Sequence, residues 1–381
     1  MIDKNEITTA MAAADSPIMI ETNQQLADAL KQWKNCPVIG IDTEFVRERT
    51  YRADLGLIQL SDGKQVWLVD PLKTGPINAM AELFDDLKVI KVLHAPSEDL
   101  DVLLYTTRSC PWPLFDTQIA CSMLGQSLQL SYHNTVDWLL NVHIDKGETR
   151  SNWLKRPLRP AQLHYAALDV CLLPMMYREL DEQLKTIGRF DWLQEDCGRL
   201  ISKSRTPVEP AESWMKIGGA SRLNQPSLVA LQALAQWREL EADRRNMAKG
   251  FVIKNPELLA LADTAPKSIS ELSSINDLHH RTIDRYGEKL LRIISGALQS
   301  DTKIQPLATI SLQQKQLLAD MKKRVSNKAE ELQVEPALLA SRRELENLIL
   351  TDAEEPLPER FMGWRKDIIT NELIELMEKY G

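Results

Sequence analysis

Val38-Ile39-Gly40-Ile41-Asp42-Thr43-Glu44-Phe45 opens as a continuous apolar run and then carries two carboxylates two residues apart. The apolar run predicts a buried β-strand over 38–41 that ends at Asp42. Side chains alternate along a strand, so Asp42 and Glu44 point to the same face. Two acidic groups this close are costly neighbours unless a cation neutralises them, and hard divalent ions take carboxylate oxygens. Taken alone, the motif reads equally well as a solvated strand end. Its weight comes from what surrounds it.

Runs at 57–60 and 66–69 are β-rich, and the turn Ser61-Asp62-Gly63-Lys64 between them predicts a hairpin, so the first three strands are expected to be antiparallel. A helix over 77–87 leads to a further apolar strand over 89–93, broken only by Lys91, and a helix starts near Ser97. Strands alternating with helices predict an α/β domain with a mixed sheet. From about residue 131 the pattern turns helical, with Tyr132, Val136, Leu139 and Leu140 on one face and one long helix over 160–185. The polar, proline-punctuated stretch 202–210 marks a domain boundary. The remainder reads as all-helical.

That helical half contains an internal echo. A helix over 228–244 leads to Asn255-Pro256-Glu257-Leu258-Leu259, and one over 312–325 leads to Glu335-Pro336-Ala337-Leu338-Leu339. In each case proline opens a leucine-rich helix, its favoured place. Two related small domains divided near Leu307 are expected, giving the layout 1–205, 211–303 and 304–381.

Two more segments carry acidic groups. In His94-Ala95-Pro96-Ser97-Glu98-Asp99-Leu100-Asp101, Ser97 is a good N-cap and sets Asp99 in the first helical turn. Leu100, Leu103 and Leu104 define the buried side and favour Asp99 as a ligand; for Glu98 and Asp101 a helix-dipole role is simpler. Pattern alone does not separate the three. In Tyr165-Ala166-Ala167-Leu168-Asp169, residues four apart lie on one helix face about 6 Å apart. Tyr165 could therefore orient a water beside a cation held by Asp169. His164 lies about 100° round the helix and is expected to be a structural neighbour.

The blocks at 41–45, 94–103 and 165–170, in this order, resemble the ribonuclease D family of DEDD-type 3′–5′ exonucleases. Phe115-Asp116-Thr117-Gln118 and the block at 151–158 are similar too, so the likeness covers 37–185. It implies an RNase H-like fold and an enzyme that removes nucleotides from the 3′ end of RNA, releasing 5′-nucleoside monophosphates by two-metal-ion hydrolysis. Asp42, Glu44, Asp99 and Asp169 would hold two divalent ions, Mg or Mn, and Tyr165 assigns the chain to the tyrosine-bearing subgroup. Lys146, Arg150, Gln59 and Trp153 are candidate substrate contacts, although tryptophan at such a position is more often core. The implied partner is RNA, especially tRNA precursors with a free 3′ end. The helical half resembles the HRDC domain over 231–242, with Trp237-Arg238-Glu239, and more faintly over 308–381; nucleic-acid binding and a positioning role both stay open for it.

Composition bounds the rest. The net charge of −8 argues against a protein that coats nucleic acid non-specifically, although Arg47, Arg49, Arg52, Lys146, Arg150, Lys155, Arg156 and Arg159 suggest a local phosphate track. No apolar run of about 18 residues exists to span a bilayer, and the first residues show no basic segment followed by an apolar one. A cytoplasmic protein without membrane contact or obligate protein partner is expected. Five scattered cysteines without a CxxC pair predict reduced core thiols. The rival readings are a DNA 3′–5′ exonuclease and a non-catalytic nucleic-acid-binding protein.

Overall fold

The computed structural model describes residues 3–144, 147–148, 151–207, 209–276, 278–305, 310–352 and 354–380. Contacts divide the chain into two compact units: Met1–Val46 with Asp54–Arg205 and Ile310–Gly381, and Arg47–Ala53 with Thr206–Thr309. The C-terminal segment thus groups with the first half of the chain.

In the first unit, six strands among the described residues form one mixed sheet: β1 (Ile18–Ile20), β2 (Val38–Val46), β3 (Asp54–Ser61), β4 (Val66–Val69), β5 (Ile90–Leu93) and β6 (Leu114–Asp116). Their order is β1-β4-β3-β2-β5-β6. The hairpin is present and β2, β3 and β4 are antiparallel as expected, while β1, β5 and β6 pair in parallel. The outer strands β1 and β6, three residues each, are too short to show a period of two in the sequence.

β2 does not stop at Asp42. It runs to Val46, with Asp42 opposite Gln59 and Glu44 opposite Leu57, and its register shifts between Glu44 and Phe45. Carboxylate side chains do not end a strand whose backbone groups remain paired to a neighbour, and β3 supplies that pairing.

The long helix expected over 160–185 is two helices, Pro160–Cys171 and Leu173–Thr186. Pro174 is the cause: it has no N–H to give and its ring crowds the carbonyl four residues back, that of Val170. The break lets this corner press onto the sheet. A Cβ at Gly40 would lie 2.7 Å from the Leu173 Cβ and 3.1 Å from the Val170 oxygen. Gly40→Ala is expected to destabilise the protein by about 1–3 kcal/mol through overpacking. An unchanged midpoint in urea denaturation would show that the corner yields freely.

The stretch 202–210 is not wholly linker, because the helix Phe190–Arg205 includes its first four residues. Leu193, Cys197 and Ile201 are buried at helical spacing, and that periodicity outweighs the polar composition. This helix is also the seat of the C-terminal segment. Arg365, fully buried, makes a two-pronged ion pair with Asp196 at 2.7 and 2.8 Å and donates to the Leu338 carbonyl at 2.8 Å. Trp192 and Trp364 stack with ring centroids 4.3 Å apart.

The second unit is helical, built on Gln225–Arg244, Asn255–Thr264 and His280–Gln299 around Leu228, Leu231, Leu234, Leu258, Leu261, Leu290 and Ile294. Residues 47–53, which leave β2 and re-enter β3, belong to it: Ala248 N–H donates to the Arg49 carbonyl at 2.8 Å and Tyr51 Oη to Glu239 at 3.1 Å. Pro256 and Pro336 both sit in first turns as expected, the second opening a helix of only four residues, Pro336–Leu339. The expected division at Leu307 lies outside the described residues.

Candidate active site

Three elements converge at β2. Asp42 and Glu44 project from one face of the strand, and the helix Pro160–Cys171 lays Asp169 against them. One carboxylate oxygen from each of Asp42, Glu44 and Asp169 lies within 4.8 Å of the others. Asp99 arrives from the strand's other edge. β5 pairs with β2 only over Val38–Gly40, so the helix Ser97–Thr107 meets the next stretch of β2, where the Thr43 hydroxyl and backbone N–H both donate to the Asp99 carboxylate. Glu98 and Asp101 are exposed, while Asp99 is half-buried.

Ser97 is not the N-cap of that helix. Pro96 takes the position without a side-chain bond, and the entry is held from outside. Ala95, at a left-handed φ of 54°, donates its N–H to Asp116 Oδ1 at 3.0 Å. Asp116 also caps the helix Thr117–Met123 through Gln118 N–H at 2.8 Å. His94 bridges Thr117 Oγ1 at 2.8 Å and the Leu130 carbonyl at 2.9 Å. Residues 115–118 therefore moor the turn that delivers Asp99. Their sequence drew notice only as a block of the resemblance; the mooring partners lie more than twenty residues away.

Burial is the largest influence on all four acids. It pushes Asp42 well above the usual carboxylate range, helped by Asp99, Asp169 and Glu44, and raises Glu44 to about 9. Asp169 rises to about 7 against the lowering effect of the Tyr165 hydroxyl, and Asp99 to about 6 against the donors of Thr43. Four carboxyl groups here cannot all ionise unless positive charge is added. An all-oxygen donor set is suited to a hard divalent ion, and the residues present fit one.

Tyr165 hydrogen-bonds Asp169, and burial first, then Asp169 and Glu44, push its phenol far above its ordinary value. It is a hydrogen-bond donor here and stays protonated. Its ring is clamped: a Cβ at Gly147 would lie 2.8 Å from Tyr165 Cδ2, and the Trp153 ring lies 6.2 Å away by centroid.

The expected substrate contacts fare differently. Trp153 is 3% exposed and its backbone presses on Gly56, so it sits beneath Tyr165 instead of facing solvent. Gln59 is fully buried opposite Asp42, its amide without a hydrogen-bond partner among the described residues. Lys146 and Arg150 lie outside the described residues. Of the basic track, Arg156 is committed to Asp70 at 2.6 and 2.7 Å and to the Gly56 and Trp153 carbonyls, and Arg52 to Asp243 at 2.5 Å. His164 faces away from the cluster, its Nδ1 3.4 Å from Asp15.

Residues 17–185 match a family model described as 3′-5′ exonuclease, 227–294 match the HRDC domain, and 313–373 match the ribonuclease D C-terminal HRDC domain. Ribonuclease D of Pseudomonas paraeruginosa is 35% identical over 365 residues, 94% of this chain and 97% of that protein. The chain belongs to the ribonuclease D family. Ribonuclease D of Escherichia coli K12 is 33% identical over 95% of this chain and 98% of its own length. The crystal structure of Escherichia coli RNase D superposes with a TM-score of 0.91 at 32% identity, covering 96% of this chain and 99% of that one. The catalytic core of RRP6 from Trypanosoma brucei, at 23% identity and a TM-score of 0.58, shares the fold. The mixed sheet is thus that of a ribonuclease D exonuclease domain, and the faint likeness beyond residue 308 is a second HRDC domain. As a family member the chain is a nuclease, and its acidic cluster suits catalysis with divalent metal.

Proposed function

We propose that this ribonuclease D family protein is a 3′–5′ exoribonuclease that releases 5′-nucleoside monophosphates by two-metal-ion hydrolysis, acting in the cytoplasm on the 3′ ends of tRNA precursors and other structured RNA. The convergence of Asp42, Glu44 and Asp169 within 4.8 Å carries the reading. Asp42, Glu44, Asp99 and Asp169 would hold two Mg or Mn ions, with catalysis in 1–205 and HRDC domains at 211–303 and 304–381. Bound there, such ions would generate a strong nucleophile from water near neutral pH and offset charge on the leaving 3′ oxygen. The chain's own residues do the rest. Tyr165 donates a hydrogen bond at the site and, held by Trp153 and Gly147, keeps one orientation. Thr43 fixes the Asp99 carboxylate. The RNA preference draws on the relatives, since Escherichia coli RNase D is described as an exoribonuclease involved in structured RNA processing; the tRNA role draws on the family resemblance of the sequence motifs.

Incubating 5′-labelled RNA, and the matching DNA, with and without Mg²⁺ or Mn²⁺ tests this. Stepwise shortening of RNA only with metal is expected. A ladder from internal cuts, preferential loss of DNA, or strands bound but never shortened would each overturn it.

Tyr165→Phe removes the donor and leaves the clamp. Single-turnover hydrolysis is expected to slow by about 10²-fold or more, the range for a positioned proton donor or acceptor, with the metal requirement unchanged. A variant as fast as the parent would remove Tyr165 from the chemistry.

A further inference from the structure

The helical unit of residues 206–309 holds a cavity of about 490 Å³ whose lining includes Ser213, Lys216, Arg238, Glu239, Lys249 and Lys254, with the first turn of the helix Asn255–Thr264 beside it. Four cationic side chains there face one carboxylate. That carboxylate is already engaged: Glu239 takes Lys249 Nζ at 2.7 Å and the Tyr51 hydroxyl at 3.1 Å. Lys216 and Lys254 have no ion-pair partner among the described residues, and both are exposed at the cavity mouth.

Arg238 decides what the cavity is for. It is 5% exposed, yet its hydrogen-bond acceptors are neutral, the Ile253 carbonyl at 3.3 Å and Asn255 Oδ1 at 2.7 Å. Its Nε is buried with no hydrogen-bond partner among the described residues. Glu239 lies near it but accepts no hydrogen bond from it, and a guanidinium withdrawn from water with only neutral acceptors is costly; an unsatisfied group of this kind calls for a partner such as a bound ion. Guanidinium and ammonium groups around one space suit an oxyanion with several acceptor oxygens, and phosphate is the oxyanion that guanidinium recognises by paired hydrogen bonds. The volume accommodates a phosphate with its sugar but not a folded chain.

We infer that this cavity is a phosphate-binding subsite that takes a backbone phosphate of the RNA chain, with Arg238 at its floor and Lys216 and Lys254 at its rim. The inference rests on the RNA reading above. It also accounts for an overall acidic protein gripping an anionic polymer: the charge needed is concentrated in one recess.

Fluorescence anisotropy of the full chain with a short 5′-labelled RNA, run in EDTA across a salt series, tests it. In the double variant Lys216→Ala/Lys254→Ala, RNA affinity is expected to fall about tenfold, and the slope of log affinity against log salt to flatten by about 0.7, the value for one phosphate contact on a single strand. Both lysines are exposed, so the fold is kept; an unchanged far-ultraviolet circular dichroism spectrum and melting temperature check this. Unchanged RNA affinity and slope would overturn the subsite. So would unchanged RNA binding with loss of calorimetric binding of inorganic phosphate or 5′-AMP, which would make it a site for free small phosphates. Failure of the exonuclease reading would appear instead as absent shortening with metal, which the EDTA measurement does not touch.

Discussion

Asp42→Asn is expected to abolish exonuclease activity while making the metal-free protein more resistant to heat. Loss of at least about 10³-fold in single-turnover rate corresponds to about 4 kcal/mol of transition-state free energy. It follows from the site's charge, because Asp42 is central to the cluster and interacts with Asp99, Asp169 and Glu44. The stability change has the opposite sign for the same reason. With folded values of about 9, 7 and 6 for Glu44, Asp169 and Asp99, the folded state binds protons that the unfolded chain, titrating near 4, has released. Stability of the metal-free protein therefore falls as pH rises from about 4 towards 9. An isosteric amide removes one of the mutually repelling charges and should flatten that decline, as should added Mg²⁺ in the parent. Melting temperatures in EDTA over this pH range, with and without the substitution, provide the measurement. A parallel pair of curves, or a folded variant with undiminished hydrolysis, would remove Asp42 from the cluster's chemistry.

Arg365→Ala is the substitution expected to cost most in stability. It leaves Asp196, 5% exposed, without its two-pronged partner, and breaking a buried pair from one side costs about 3–5 kcal/mol. Arg199 and Arg360 also face Asp196, which places the expectation at the lower end, about 3 kcal/mol. Burial alone would raise the Asp196 carboxyl; Arg365 foremost, with Arg360 and Arg199, outweighs it and holds the group down at about 2. This contribution is present above the unfolded value near 4 and is lost as pH falls through 2. In the variant the folded value moves back towards 4, so this acid-side decline should shrink. Trp192 and Trp364 stack beside the pair, so their fluorescence should report release of the segment 310–381 at lower urea than in the parent. An unchanged transition would show that the pair is dispensable.

Much of the exonuclease domain was legible because its signals are local. The β4 span, the 61–64 hairpin and the helical spacing of Tyr165 and Asp169 need only neighbouring residues to be read. Helix periodicity favoured Asp99 over Glu98 and Asp101 without separating the three; the exposure of Glu98 and Asp101 and the hydrogen bond from Thr43 to Asp99 came only with the structure. What escaped was non-local. The continuation of β2 past Asp42 depends on β3, and the mooring of Ala95 by Asp116 joins residues twenty-one apart. Arg156 read as a phosphate contact because nothing adjacent to it announces Asp70, eighty-six residues earlier.

The opening run from Val38 to Phe45 shows the division most clearly. By itself the sequence determined that Asp42 and Glu44 share a face, since alternation is a property of any extended chain. Only the tertiary structure decided that they meet Asp169, with Asp99 held at Thr43, and that their pKa values rise. Burial and the approach of three other carboxyls depend on how strands and helices are brought together in space, and no local pattern encodes that distance.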